Sequence, residues 1–242
     1  MAELVYPPVI GFARVMFKAQ GLRFDIGGTE HVPREGGALL VSNHIGYLDF
    51  IFSGMTVLPA KRLVRFMAKE SVFRHKVSGP LMRAMKHIPV DRSEGMHAYA
   101  HALTALRSGE IIGVFPEATI SQSFTLKSFK SGAARLAMEA GVPLLPVALW
   151  GTQRMWTKGH PRQLGRNRFP ITIRVGEQMT PDENEKPGAL TRRVRLRVQE
   201  LLEDAQRTYT GRPNGPEDRW WLPAHLGGTA PTPEQAAAMD RE

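Results

Sequence analysis

The sequence predicts an α/β protein with a mostly parallel central sheet flanked by helices. Three observations carry this reading. Short apolar runs of strand length alternate with helix-length amphipathic stretches along most of the chain. Several of those runs, such as Ala38-Leu39-Leu40-Val41 and residues 142–150, are apolar nearly throughout, the pattern of strands buried on both faces. The residues with chemical capability cluster just after the runs, where the carboxyl ends of parallel strands gather.

Taken in order, residues 1–20 read as an amphipathic helix starting after Pro7-Pro8. Arg14 and Lys18 share one face while Phe12, Val15, Met16 and Phe17 cover much of the rest, which suits a membrane interface or core packing alike. Residues 22–28 and 37–41 read as strands joined by a polar Gly/Pro turn, 49–58 as a helix ended by Pro59, and 63–67 as a strand. The stretch 70–87 reads as helical with a break near Ser78-Gly79-Pro80, and Ile88-Pro89-Val90 as a short strand leading to Asp91-Arg92. A helix over 94–107 closes at Ser108-Gly109, and a buried strand over 111–115 precedes a polar loop, 116–128. Residues 130–140 read as a helix ending at Gly141, 142–150 and 171–175 as strands, and 190–209 as a long helix of mixed charge. The expected organisation is an N-terminal helix (1–20), one α/β domain (21–210) and a Pro/Gly-rich arm (211–242), extended, loose at its ends and docked by Trp220-Trp221.

The chain has 242 residues, 42% of them hydrophobic, enough for one sizeable core. It has no cysteine, which excludes disulfides, thiolate–zinc sites and a cysteine nucleophile. Its net charge of +9 points to an anionic partner. Between Lys61 and Arg92 nine basic residues face only two acids, Glu70 and Asp91. Large apolar side chains interleave with them, a mixture that suits an anionic membrane surface. No helix-turn-helix, zinc or RNP-type pattern argues for nucleic acid. No stretch reaches the length a transmembrane helix needs, and Glu3 with the proline pair spoils residues 9–17 as a signal peptide.

The most informative motif is Asn43-His44-Ile45-Gly46-Tyr47-Leu48-Asp49. A histidine can accept a proton near neutrality, and a carboxylate on its other ring nitrogen fixes the tautomer and steadies the imidazolium. Five helical steps would set the two side chains roughly 140° apart, so a regular helix cannot pair them. They meet only if His44 lies in a turn and Asp49 in the first turn of the next helix, with Gly46 easing the turn.

Three further blocks follow it: Ile88-Pro89-Val90-Asp91-Arg92, Val114-Phe115-Pro116-Glu117-Ala118-Thr119, and Val142-Pro143-Leu144-Leu145-Pro146-Val147. With Met67-Ala68-Lys69-Glu70 and Phe129-Lys130-Ser131-Gly132-Ala133-Ala134, this ordered set resembles the glycerolipid acyltransferases, the 1-acylglycerol-3-phosphate acyltransferase family, over about residues 35–150. The resemblance implies a glycerol-3-phosphate acyltransferase-like fold and a transfer of a fatty acyl group in phospholipid biosynthesis. The donor would be a thioester, acyl-CoA or acyl carrier protein, and the acceptor a lysophospholipid or glycerol-3-phosphate, with no cofactor and no metal. It implies His44 as general base and Asp49 as the residue that orients it. Asn43 would shape the turn beside the substrate; Lys69 and Arg92 would grip the acceptor phosphate; Glu117, Thr119 and Lys130 would complete acceptor binding. A place on the cytoplasmic side of the cell membrane, peripheral and without a transmembrane helix, goes with lipid substrates. Two positions depart from the family pattern. Ala118 stands where glycine is usual, a small change if the backbone there keeps an ordinary φ, and Ile120 stands where arginine is usual, leaving Lys127, Lys130 or Arg135 to substitute. The Ile120 departure keeps open another lysolipid as acceptor; a basic membrane-binding module with a degenerate site is the reading from a different class.

Overall fold

The computed structural model describes residues 4–76, 78–91 and 95–241. Seven strands form one sheet: β1 (Arg23–Gly27), β2 (Ala38–Ser42), β3 (Val64–Lys69), β4 (Ile88–Val90), β5 (Ile111–Val114), β6 (Leu144–Trp150) and β7 (Pro170–Val175). Their order across the sheet is β1-β7-β6-β2-β5-β3-β4. All neighbouring pairs are parallel except β6 with β7, so β1 and β7 run against the other five. The carboxyl ends of β2 to β6 therefore share one edge, with β2 central.

Period-two alternation sorts the strand side chains between two cores. On one face, Leu39 and Val41 of β2 and Leu144, Ala148 and Trp150 of β6 pack beneath three helices, α5 (Gly95–Arg107), α6 (Gly132–Ala140) and α7 (Pro187–Thr208). On the other, Ala38 and Leu40 of β2 and Leu145, Val147 and Leu149 of β6 meet α1 (Tyr6–Gln20) and α2 (Asp49–Met55). Phe52 of α2 is fully buried between Phe17 and Phe24, with ring centroids 5.1 and 6.1 Å away. Truncating a ring so placed typically costs about 3–5 kcal/mol.

Several boundaries differ from the sequence reading, each for a local reason. Helix α1 begins at Tyr6, with Pro7 and Pro8 inside its first turn. The N–H groups that proline lacks are unused there, so the pair starts the helix instead of preceding it. The break in residues 70–87 falls between α3 (Glu70–Arg74) and α4 (Ser78–Ala84), and Ser78-Gly79-Pro80 open the second helix by the same logic. Pro187 likewise starts α7 three residues before the predicted Leu190. Residues 211–241 are neither extended nor loose: they form 3₁₀ turns at Pro216–Arg219 and Ala224–Leu226 and a helix, α8 (Pro233–Met239), with a Thr232–Gln235 capping box. The tryptophans do dock this arm. Trp221 is buried, and Trp220 stacks on His160 at 4.0 Å.

The basic segment 61–92 is less of a surface than its composition suggests. Arg65 is buried, donating to Glu110 at 2.6 Å and to the Met85 carbonyl at 3.0 Å, and it lies over the Tyr6 ring. Arg62 donates to the carbonyls of Pro33, Gly36 and Gly109. Among the interleaved apolar residues, Phe66, Phe73, Met82 and Met85 are core, while Val72 and Leu81 are exposed. Among the described residues no helix is long and apolar enough to cross a membrane.

His87 is buried beside Tyr6, Phe50 and Phe66, and its Nδ1 accepts the Phe66 N–H at 3.0 Å. Burial, with help from the Arg65 guanidinium, pushes its pKa down to about 4. The native state thus holds the neutral ring while the unfolded chain takes up a proton near pH 6.5. The stability this contributes is complete above that pH and is lost as pH falls through the interval down to about 4, amounting to roughly 3 kcal/mol. Urea titrations of wild type and His87→Gln between pH 4 and 8 should show a flatter pH dependence in the variant; equal slopes would remove His87 as a source of acid sensitivity.

Candidate active site

Chain reversal after β2 builds the site. His44 lies in the turn and Asp49 opens α2, so the two side chains meet as the spacing requires: His44 Nδ1 lies 3.0 Å from Asp49 Oδ2. The same oxygen accepts the Ile45 N–H at 2.7 Å and the Gly46 N–H at 2.8 Å, and Oδ1 accepts the Thr152 hydroxyl at 2.6 Å. Asp49 is fully buried, so these four donors replace the water it has lost. With Nδ1 as donor to Asp49, the neutral imidazole carries its lone pair on Nε2, which is the nitrogen able to take a proton. The ring stacks on Phe115, centroids 4.3 Å apart, and Phe115 stacks in turn on Phe66.

A second buried carboxylate holds the turn from outside it. Glu117 Oε1 accepts the His44 N–H at 2.7 Å, and Oε2 accepts the Lys127 N–H at 2.9 Å. Burial is the largest influence on Glu117 and outweighs these two bonds, pushing its pKa up to about 7. Ser121 N–H donates to the His44 carbonyl at 2.8 Å, tying the loop after β5 to the same turn.

The segment after β6 closes the third side. Thr152 reaches Asp49, Thr157 donates to the Ile45 carbonyl at 2.7 Å, and Tyr47 N–H donates to the Trp156 carbonyl at 2.9 Å. Gly46 serves by its missing side chain rather than by a left-handed backbone: a Cβ there would lie 3.1 Å from the Trp156 oxygen and 3.2 Å from that of Thr152. Gly151 does need a left-handed φ of 98°, and a Cβ there would collide with the Pro170 carbonyl.

The other predicted site residues fall as follows. Asn43 is buried and bridges β2 to β6, donating to the Leu149 carbonyl at 3.0 Å and accepting its N–H at 2.8 Å. Its geometry is that of a strand clasp, with both ends of its amide facing backbone. Glu117 likewise faces backbone N–H groups with both oxygens. Thr119 is half-buried, its hydroxyl accepting from Lys158 Nζ at 2.9 Å. Lys69, at the carboxyl end of β3, and Lys130 are exposed. Arg92 lies outside the described residues. Ala118 has φ of +64°, so the condition for a harmless exchange with glycine fails: this backbone costs a non-glycine residue roughly 1–2 kcal/mol. Ile120 is buried. Sequence reasoning missed Phe115 as a stacking partner and missed Thr152, Thr157 and Lys158 altogether. The signal available was their position directly after β6, where Gly151 already marked a strand end. Among the described residues no group of three His, Cys, Asp or Glu side chains could hold a metal ion.

The chain is similar to known proteins in sequence and in fold. The family model described as Acyltransferase matches residues 23–150. A 1-acyl-sn-glycerol-3-phosphate acyltransferase of Bacillus subtilis is 27% identical over 183 residues, covering 71% of this chain and 84% of that protein. A protein of the same name from Limnanthes alba is 30% identical over 167 residues, 67% of this chain and 57% of that one. The chain also resembles the crystal structure of the 1-acyl-sn-glycerophosphate acyltransferase PlsC from Thermotoga maritima, with TM-score 0.70, 22% identity, and coverage of 85% and 81% of the two chains.

Thr152 is a positioning residue for His44, acting through Asp49. Thr152→Val keeps its volume but removes the donor; we expect kcat to fall about tenfold with KM little changed, and Thr152→Ser to restore most of it. Steady-state kinetics of both variants check this, and equal loss in the two would count against a hydroxyl role.

Proposed function

The chain belongs to the acyltransferase family, and from that premise we propose that it esterifies a glycerol hydroxyl of 1-acyl-sn-glycerol-3-phosphate, or of glycerol-3-phosphate, with an acyl group from acyl-CoA or acyl carrier protein. The observation that carries the reading is the His44 imidazole held through Nδ1 by a carboxylate with four donors. His44 Nε2 takes the proton of the acceptor hydroxyl as its oxygen attacks the thioester carbonyl. The tetrahedral intermediate collapses with cleavage of the C–S bond, and the imidazolium returns the proton to the departing thiolate, leaving an ester and a free thiol. A positioned base is needed because a free alkoxide is inaccessible at neutral pH, and such a base contributes about 10²–10⁴-fold. Asp49 orients the ring and steadies its charged form. The names of the relatives support the phosphorylated acceptor.

Purified protein incubated with labelled acyl-CoA and a panel of phosphorylated and non-phosphorylated glycerol acceptors tests this reading. We expect transfer to the phosphorylated acceptors, and a loss of about 10²–10⁴-fold in His44→Ala. Transfer to non-phosphorylated acceptors alone would overturn the acceptor assignment, and full activity in the variant would remove His44 from the mechanism.

The membrane role follows from the substrates and from α1. That helix packs Tyr6, Phe17 and Gln20 inward and leaves Phe12 and Val15 about two-thirds exposed beside Arg14 and Lys18. Apolar side chains flanked by cations suit an anionic leaflet on the cytoplasmic side. Sedimentation with liposomes should show several-fold stronger binding when anionic lipid is present, weakened in Phe12→Ser/Val15→Ser; equal partitioning onto neutral and anionic vesicles would exclude the electrostatic contribution.

A further inference from the structure

Asp240, just beyond α8, sits between two lysines that belong to the frame of the site. Its Oδ2 lies 2.5 Å from Lys127 Nζ and its Oδ1 2.9 Å from Lys158 Nζ, while Lys158 Nζ also donates to the Thr119 hydroxyl at 2.9 Å. Both lysines are rigidly related to His44. The Lys127 backbone N–H shares Glu117 with the His44 N–H, and Lys158 follows Thr157, which bonds the Ile45 carbonyl. All three charged groups are half-buried, where an ion pair is screened less than on an open surface.

We propose that Lys127, Lys158 and Thr119 form the subsite for the acceptor's phosphate, and that the Asp240 carboxylate occupies it until the acceptor displaces it. The proposal rests on the phosphorylated-acceptor reading above. A carboxylate presents two oxygens and one negative charge to the two ammonium groups; a phosphomonoester presents three oxygens and a charge of about −1.5 to −2, so it competes well for the same donors. Burial raises the Asp240 pKa, but the bonds from Lys127 and Lys158 more than offset it and hold the group below its ordinary value, as expected of a seated anion. At position 120, where the resemblance leads one to expect an arginine, the side chain is a buried isoleucine, so the cations for the phosphate come from Lys127 of the same loop and Lys158 of the segment after β6. Apart from these ion pairs α8 has little packing of its own: Ala236 is its one buried residue, and the next buried residue upstream is Ala230.

Asp240→Asn is nearly isosteric and removes the competing charge. We expect its KM for 1-acyl-glycerol-3-phosphate to fall about 3–10-fold, and Lys158→Met in the same background to raise KM well above the wild-type value. An unchanged KM in Asp240→Asn overturns the proposal. A measurement on the wild-type protein stands independently of any variant's folding: amide hydrogen exchange across α8 should accelerate on titration with inorganic phosphate but not with sodium chloride at matched ionic strength. Equal exchange in the two salts overturns the subsite. If the wild-type protein esterified no phosphorylated acceptor, the functional reading would fail, while phosphate-dependent exchange of α8 would still report on the subsite.

Discussion

One buried carboxylate organises the site. Asp49 is removed from water entirely, and its four donors come from the His44 ring, two successive backbone N–H groups of the same turn, and a hydroxyl from the segment after β6. An unsatisfied charge at that depth is prohibitive, so the turn has little freedom to take another shape. The position at the first turn of α2 adds the favourable end of the helix dipole. His44 is thereby oriented as a consequence of satisfying Asp49. The orientation of the imidazole is a by-product of satisfying the carboxylate.

The sheet makes this economical. With β2 between β5 and β6 and all three parallel, the loops after these strands emerge side by side. The loop after β5 supplies Glu117 and Ser121, and the segment after β6 supplies Thr152 and Thr157; each bonds to the turn after β2. Asn43, one residue before His44, locks β2 to Leu149 of β6 through both ends of its amide, which fixes the height at which the turn begins. The three connections are therefore tied to one another by hydrogen bonds around His44, the kind of support that holds a site's geometry.

Much of this was legible in the sequence because it depends on period and spacing. The five-residue interval from His44 to Asp49 excluded a continuous helix, and the apolar run before it required a strand, so the strand–turn–helix geometry followed by elimination. Strand alternation and the edge on which the motifs gather followed from the same reasoning. What stayed hidden depends on contacts between residues far apart. Thr152 is 103 positions from Asp49, and nothing in its neighbourhood marks it except the preceding glycine. Arg65 reads as surface charge because composition does not reveal that Glu110 and the Met85 carbonyl receive it. The prolines at 7–8 mark a helix start in the sequence, but period and spacing do not say whether the pair precedes the helix or opens it; here, as at positions 80 and 187, proline occupies a first turn, where its missing N–H costs nothing.

The two departures in the loop after β5 take on a common physical meaning once that loop is seen holding His44. Ala118 keeps a left-handed backbone at φ +64°, a conformation glycine adopts freely, and the loop holds it there because Glu117 on one side and Ser121 on the other are both bonded to the His44 turn. Strain at one residue persists when its neighbours over-determine the backbone, and here they are tied to the His44 backbone. Ile120, between those anchors, is buried and carries no charge. The loop thus keeps a backbone path bonded to the histidine while carrying no charge at position 120, and the cations nearby are Lys127, whose N–H bonds Glu117, and Lys158, which follows Thr157. Positioning a base needs fixed backbone donors, whereas attracting an anion needs only charge within reach. The first requirement is met here by particular residues of the turn; the second, on the proposed reading, is met by side chains of the loop and of the next segment.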